Sequence, residues 1–329
     1  MLNGKVVVVT GASAGVGRAT VRELARQGAA VGLIARDRGR LDAAAAEARA
    51  AGVRACVAPA DISDADALER AAATIEAELG PIDVWVNAAM TAVLAEVSDT
   101  TPEEFKRVTE VVYLGSVHGV QCALRRMLPR NEGVIVQVGS ALSRRGIPLQ
   151  ATYCAAKHAV KGFCDSLRAE LIHHDSNVKV TLVQLPGLNT PQFGWVRTRL
   201  EHHPQPVAPI YQPEVAARAV VHAISHPKRE HWVGGSTVYT ILGEKLISGA
   251  MDRFLGRTNE DGQQTDIPID PAERDDNLFS PPPGDPGAHG IFDADAHDRS
   301  PQWWLNTHRP LVAAGVGGIV AVAVAAARR

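Results

Sequence analysis

The chain has 329 residues, 46% of them hydrophobic, and a formal net charge of −2, so it is long enough for one large or two ordinary domains with a buried core. The near-zero charge argues against a nucleic-acid-binding protein, which usually carries a basic face. Four cysteines without a CxxC pair indicate neither a disulfide framework nor a metal site, and they favour a reducing, cytoplasmic setting.

Apolar runs and amphipathic stretches alternate through the first part of the chain. Strands are predicted over 5–10, 30–35, 53–58 and 82–87. Helices are predicted over 16–27, 41–51 and 65–79, the first ending at a glycine and the last at a Gly-Pro pair.

The second part repeats this alternation. A long helix is predicted from Pro102 toward Pro129, followed by a strand over 133–139, a helix over 153–174 and a strand over 178–185. A last helix over 213–226 precedes a short strand at Trp232. This order predicts an α/β fold in which a doubly wound parallel sheet of about seven strands carries helices on both faces.

A glycine-rich turn joins the first strand to the first helix. The turn, Thr10–Gly17, has the spacing Gly-x3-Gly-x-Gly. Glycines there allow a close approach to a pyrophosphate, and the helix N-terminus offers free N–H groups and a positive dipole end. The alternative is a tight turn that binds nothing.

A second motif follows the fifth predicted strand. Tyr153 and Lys157 lie four residues apart, on one face of a predicted helix, and Ser140 precedes them by 13 residues. A nearby ammonium favours the tyrosinate, so Tyr153 can serve as general acid or base, while the Ser140 hydroxyl can hydrogen-bond a substrate oxygen. The alternative is an ordinary helix surface.

These two motifs resemble those of the short-chain dehydrogenase/reductase family, over about residues 4–255. Thr10–Gly17 is similar to its TGxxxGxG motif, and Ser140, Tyr153 and Lys157 to its catalytic set. The resemblance implies a Rossmann-like fold, a nicotinamide cofactor and a homodimer or tetramer paired through its long helices. The cofactor-binding residues that it implies are Thr10, Gly11, Ser13, Gly15, Val16, Gly17, Arg36, Asp61, Ile62, Asn87, Ala88, Tyr153, Lys157, Pro186, Gly187 and Thr190.

The end of the second strand bears on the choice of nucleotide. An acidic residue there would bind a ribose 2′-hydroxyl, whereas an arginine accommodates a 2′-phosphate. The chain has Ala35 and Arg36 at this place. We therefore expect NADP (NADPH) rather than NAD, the alternative being a solvated basic loop.

Two positions depart from the family pattern. Tyr113 stands where the family often has an asparagine that supports a water chain from the lysine, and Met90 stands where it has a glycine. Tyr113 could hold this proton relay through its hydroxyl or simply fill the space. Downstream, Phe193, Trp195 and Tyr211 could line an apolar substrate pocket or pack as cover.

The composition changes after the predicted catalytic domain, 1–255. Residues 256–309 hold 11 acidic residues and seven prolines against four arginines, too polar for an independent core. We expect this extension to lie partly over the domain through the apolar pairs at 278–279, 291–292 and 303–304. In the tail, 310–329, the uncharged run 311–327 is read as a marginal membrane anchor or as a packed helix.

The sequence thus predicts an NADP-dependent oxidoreductase. It would transfer a hydride between the cofactor and a small-molecule carbonyl or secondary alcohol, which the apolar tail and the aromatic loop suggest is lipophilic. The alternative function is an NADP-binding regulatory or scaffold protein at a membrane, its chemistry impaired by Tyr113 and Met90.

Overall fold

The computed structural model describes residues 2–308. Its strands are β1 (Val6–Thr10), β2 (Ala30–Ile34), β3 (Ala55–Val57), β4 (Val84–Asn87), β5 (Val93–Leu94), β6 (Val134–Ser140), β7 (Lys179–Leu185), β8 (Arg197–Thr198), β9 (His202–Pro204), β10 (Glu230–Trp232) and β11 (Gln264–Pro268). Its α-helices are α1 (Gly15–Arg26), α2 (Arg38–Ala50), α3 (Ala65–Leu79), α4 (Pro102–Val108), α5 (Gly115–Met127), α6 (Ala151–His173), α7 (Gln192–Trp195), α8 (Pro213–Ser225), α9 (Gly235–Thr258) and α10 (Pro301–Thr307).

Seven parallel strands form the central sheet, in the order β10-β7-β6-β4-β1-β2-β3. The chain winds outward from β1 in one direction and then, from β4 onward, in the other. The α/β fold with a doubly wound, Rossmann-like parallel sheet is therefore confirmed. The reversal between β1 and β4 opens a crevice at the carboxyl ends of these strands, where ligands bind in such sheets.

Helices cover both faces of the sheet, which explains why its strands are continuous apolar runs. Along β1, Val7 and Val9 pack into one hydrophobic cluster with residues of α1, α2 and α8. Val6 and Val8 pack into a second cluster with residues of α3, α5 and α6. Each face of the sheet thus has its own core.

The helix predicted from Pro102 toward Pro129 is interrupted. It consists of α4, a π-helical turn over Thr109–Leu114, and α5. Nothing in the sequence, such as an internal proline, marks this turn. The turn ends where the helix packs closely against the loop after β3. A Cβ on Gly115, the next residue, would lie 2.5 Å from the Ile62 side chain.

The acidic extension lies along the surface of the preceding domain. One residue of each apolar pair is buried, namely Leu278, Phe292 and Trp303. The second residue of each pair is exposed. The position 255, where the composition changes, lies inside α9, so this helix continues into the extension.

The predicted membrane anchor, 311–327, lies outside the described residues, so it stays a prediction. Within residues 2–308, no helix combines the length and the apolarity needed to cross a membrane.

Gly119 tests the contact between α5 and the sheet. A Cβ there would lie 2.3 Å from the Asn87 Oδ1 and 2.8 Å from the Trp85 Nε1, both in the core. We expect Gly119→Ala to lower the free energy of unfolding by about 1–3 kcal/mol in urea denaturation. The matched control is Gly162→Ala in α6, where a Cβ meets nothing within 4 Å and higher helix propensity should stabilise by up to about 1 kcal/mol. Equal effects of the two variants would contradict the prediction.

Candidate functional site

A cavity of about 660 Å³ lies at the carboxyl ends of the sheet strands. It extends from the glycine-rich turn after β1 to Ser140, Tyr153 and Lys157. The two motifs, more than 120 residues apart in the chain, therefore line one space. Its size is typical of a site for a small molecule or cofactor.

The glycine-rich turn is shaped by close backbone approaches. Gly11 has a φ of +70°, and a Cβ there would lie 2.6 Å from the Cα of Ala89. A Cβ on Gly17 would lie 2.0 Å from the carbonyl oxygen of Gly11. Both positions therefore require glycine, which brings the N-terminus of α1 against the end of β1.

Most of the predicted site residues line the cavity. These are Gly11, Ser13, Gly15, Val16, Gly17, Arg36, Asp61, Ile62, Ala88, Met90, Ser140, Tyr153, Lys157, Pro186, Gly187 and Thr190. Thr10, Asn87 and Tyr113 are not among the lining residues.

Thr10 and Asn87 support the site from within the fold. The Thr10 Oγ1 accepts hydrogen bonds from the backbone N–H groups of Ala88 at 3.2 Å and Ala89 at 3.4 Å. The Asn87 Oδ1 accepts from the Trp85 Nε1 at 2.8 Å, and its Nδ2 donates to the Ser116 carbonyl at 3.2 Å. These bonds join β1, β4 and α5, so the geometry gives both residues a positioning role.

Ser140 ends β6, and its hydroxyl accepts a hydrogen bond from the Leu142 N–H at 3.1 Å. Because that bond uses an oxygen lone pair, the hydroxyl proton remains available to a substrate oxygen. On α6, the Lys157 Nζ donates to the Val138 carbonyl at 2.7 Å and lies 5.5 Å from the centroid of the Tyr153 ring. The three side chains thus converge where β6 meets α6.

Burial controls the protonation of this pair. It raises the pKa of Tyr153, which the neighbouring Ser140 hydroxyl lowers only in part. It also lowers the pKa of Lys157 to about 8. Burial thus keeps the phenol protonated, the state required of a general acid.

The adenine end of the predicted cofactor site contains two charged groups. The Arg36 Nη2 donates to the Asn277 carbonyl at 2.6 Å, whereas its buried Nη1 has no partner among residues 2–308. Burial favours the protonated form of the Asp61 carboxyl, but hydrogen bonds from Arg107, at 2.5 Å, and Ser63 outweigh it and lower its pKa. Asp61 is therefore an anion already paired within the protein.

The two unusual positions contribute apolar packing. Tyr113, in the π-helical turn, is half-buried beside a cluster that includes Val112 and Leu278. In the part of the chain that the structure describes, its hydroxyl makes no hydrogen bond. Met90 packs beside the same cluster and beside one that Tyr153 also contacts. Tyr113 thus packs beside these apolar clusters, and a relay through its hydroxyl stays a prediction.

Several lining residues were not predicted from the sequence. Asn277, Leu278 and Pro281 of the extension line one end of the cavity, and apolar residues of α9, including Met251, line the other. The apolar pair at 278–279 indicated that this part of the extension packs on the domain. No sequence pattern indicated that α9 contributes to the cavity. Of the three aromatic residues after β7, Phe193 and Trp195 line the cavity and Tyr211 packs outside it.

Comparison with known proteins identifies the group to which this arrangement belongs. The family model described as short chain dehydrogenase matches residues 5–200. The uncharacterized oxidoreductase YxnA of Bacillus subtilis is 30% identical, over 98% of this chain and 91% of its own length.

Two solved structures are also similar. An alcohol dehydrogenase from the archaeon Thermococcus sibiricus, complexed with 5-hydroxy-NADP, is 26% identical with a TM-score of 0.61, over 70% of this chain and 94% of its own. A short chain dehydrogenase from Mycobacterium paratuberculosis, bound to NAD, is 25% identical with a TM-score of 0.62, over 72% of this chain and 99% of its own. Similar folds thus bind either nucleotide.

The lowered pKa of Lys157 predicts a pH dependence of stability. Because the buried amine releases its proton near pH 8 when folded but near pH 10.4 when unfolded, the unfolded state binds more protons between these values. The contribution of Lys157 to stability therefore increases as pH rises through this window. We expect the free energy of unfolding of the wild type to gain about 2 kcal/mol relative to Lys157→Met between pH 7.5 and 9.5, measured in urea without cofactor. A constant difference between the two proteins would contradict this.

Proposed function

The chain belongs to the short-chain dehydrogenase family and is an oxidoreductase of that family, and we propose that it transfers a hydride between NADP and a carbonyl or secondary alcohol of a lipophilic substrate. The observation that carries this proposal is the meeting of Ser140, Tyr153 and Lys157 with the glycine-rich turn in one cavity. A nicotinamide cofactor, when bound, supplies or accepts the hydride.

The protein's own groups complete the reaction. In reduction, the carbonyl carbon gains the hydride and the Tyr153 hydroxyl gives its proton to the carbonyl oxygen. The Ser140 hydroxyl donates a hydrogen bond to that oxygen as negative charge develops on it. The Lys157 ammonium stabilises the resulting tyrosinate until a proton returns, and in oxidation the same steps run in reverse.

The preference for NADP is supported by Arg36. Its Nη1 is a buried donor in the cavity without a partner in the described residues, and such donors are rarely left unsatisfied. A 2′-phosphate would satisfy it with a charge-assisted bond. Arg36 also lies next to the position where an NAD-selecting acid would stand.

The lipophilic character of the substrate is supported by an apolar part of the cavity wall. This wall includes Ile147, Phe193, Met251, Phe254 and Leu255. Apolar side chains predominate there, and a site of this kind rewards burial of an apolar ligand.

Exposed apolar side chains bear on the oligomeric state of the protein, and its cysteines bear on its cellular location. We propose a homodimer or tetramer paired through the outer faces of α5 and α6, where Leu114, Leu128 and Ile172 at or near the helix ends are exposed. The cysteines are all free and buried, which fits the proposed cytoplasmic setting.

Removal of the Tyr153 hydroxyl tests the reaction. With a panel of ketones and alcohols followed by NADPH absorbance, we expect Tyr153→Phe to reduce kcat by about 10²- to 10⁴-fold, since the proton donor is lost. Binding of NADPH should change little. Tyr211→Phe, a matched change outside the cavity, should retain activity. Tight NADPH binding by the wild type without turnover on any substrate would instead favour the regulatory alternative.

Removal of the Arg36 guanidinium tests the nucleotide preference. We expect Arg36→Leu to raise the Kd for NADPH by roughly 10- to 100-fold more than the Kd for NADH, because only NADPH offers the 2′-phosphate. Arg38→Leu is the matched control, since the Arg38 side chain is 72% exposed and its nearest charged partner, Asp42, is 3.7 Å away. Equal affinity of the wild type for NADPH and NADH would contradict the proposal.

A further inference from the structure

A segment of the acidic extension crosses the predicted adenosine end of the cavity. We name residues 276–287 the strap. Asp276 accepts from the Arg197 Nε at 2.8 Å, and Asp285 accepts from the Arg18 Nη2 at 3.0 Å. The strap is therefore held near both its ends by ion pairs with the catalytic domain.

Backbone carbonyls hold the strap between these ion pairs. The Leu278 carbonyl accepts from the Arg107 Nε at 3.0 Å, and the Gly284 carbonyl accepts from the Arg40 Nε at 2.7 Å. The Gly287 carbonyl accepts from the Gly15 N–H, at the start of α1, at 3.1 Å. The strap thus follows the same edge of the sheet as the glycine-rich turn.

The inner side of the strap is part of the cavity wall. Asn277, Leu278 and Pro281 line the cavity, which stays continuous to Tyr153 with the strap in place. Leu278 is fully buried, in a cluster with Val108. The strap therefore roofs the cavity and does not fill it.

Two unsatisfied donors lie beside the strap. The Arg36 Nη1 and the Trp195 Nε1 are buried, line the cavity and have no partner among residues 2–308. Both residues are fastened to Asn277, whose carbonyl accepts from Arg36 and whose N–H donates to the Trp195 carbonyl at 3.0 Å. A ligand rich in acceptors, such as a nucleotide phosphate, would satisfy both donors.

Charge complementarity accounts for the position of the strap. The extension carries 11 acidic residues against four arginines, whereas residues 1–255 hold a small basic excess. The Asp276 carboxylate forms an ion pair with Arg197, and the Asp285 carboxylate forms one with Arg18. Neither strap carboxylate bonds to the Arg36 Nη1. The strap therefore leaves positive charge available inside the cavity.

Resting on the proposed function, we propose that the strap is the outer wall of the adenosine half of the cofactor site, so that the dinucleotide binds in a tunnel beneath it and not in an open crevice. Asn277 and Leu278 are then cofactor-binding residues contributed from outside the domain that carries the motifs. Because the bound dinucleotide lies under the strap, its release requires the strap to move, and loosening the strap speeds dissociation.

Truncation of the inner wall tests this inference. We expect Leu278→Ala to raise the dissociation rate of NADPH, followed by stopped-flow fluorescence on displacement, by about tenfold, with a similar rise in Kd. The matched control is Ile291→Ala, a side chain of the extension that is exposed and lies outside both the strap and the cavity, and whose rate should stay near that of the wild type. An unchanged rate in Leu278→Ala would overturn the proposal, and a lower Kd would show that the strap obstructs the site.

A second variant and a second measurement avoid dependence on one substitution. Asp285→Ala removes the Arg18 ion pair outside the cavity and should also speed NADPH release, even if Leu278→Ala folds poorly.

In the full-length wild type, NADPH should slow hydrogen exchange of the strap amides. Faster or unchanged exchange would overturn the proposal. Failure of the wild type to bind either NADPH or NADH would refute the proposed function itself, whereas normal binding with insensitive strap variants would refute only the tunnel.

Discussion

Burial of a parallel sheet on both faces is the constraint from which the rest of this structure follows. Because β1 and its neighbours need apolar side chains on both sides, helices must cover both faces, and the strand ends are left for polar chemistry. The winding reverses between β1 and β4, so their carboxyl ends open a crevice there. The glycine-rich turn and, beyond β6, Ser140 are placed at this edge by the same topology.

Low solvent exposure gives the catalytic groups their character. Burial raises the pKa of Tyr153 and lowers that of Lys157 to about 8, which brings the lysine close to neutral pH. The two pKa values therefore move apart, so the phenol stays protonated as a proton donor while the lysine exchanges its proton near neutral pH.

The acidic extension changes what the domain boundary means. Its composition distinguishes it from the preceding domain. Even so, its Leu278 packs in one hydrophobic cluster with Val108, and its aspartates form ion pairs with Arg18 and Arg197. A segment without a core of its own is ordered by the charges and apolar sites that a neighbouring domain offers. Here that neighbour offers the rim of the cavity, which Asn277, Leu278 and Pro281 of the extension help to line.

The sequence by itself determined the seven strands of the central sheet, most helices, the family and the group of motif residues, because hydrophobic periodicity and motif spacing are local properties. It did not reveal the π-helical turn before Gly115, which accompanies packing against Ile62, nor the inward position of Asn87, which depends on Trp85 and Ser116. The sequence suggested that Leu278 packs against the domain. Only the tertiary structure showed that it packs with Val108 and lines the cavity. The hydrogen bond between Arg36 and Asn277 joins residues 241 positions apart. It forms only when the extension packs on the domain, and local sequence patterns do not predict such long-range packing.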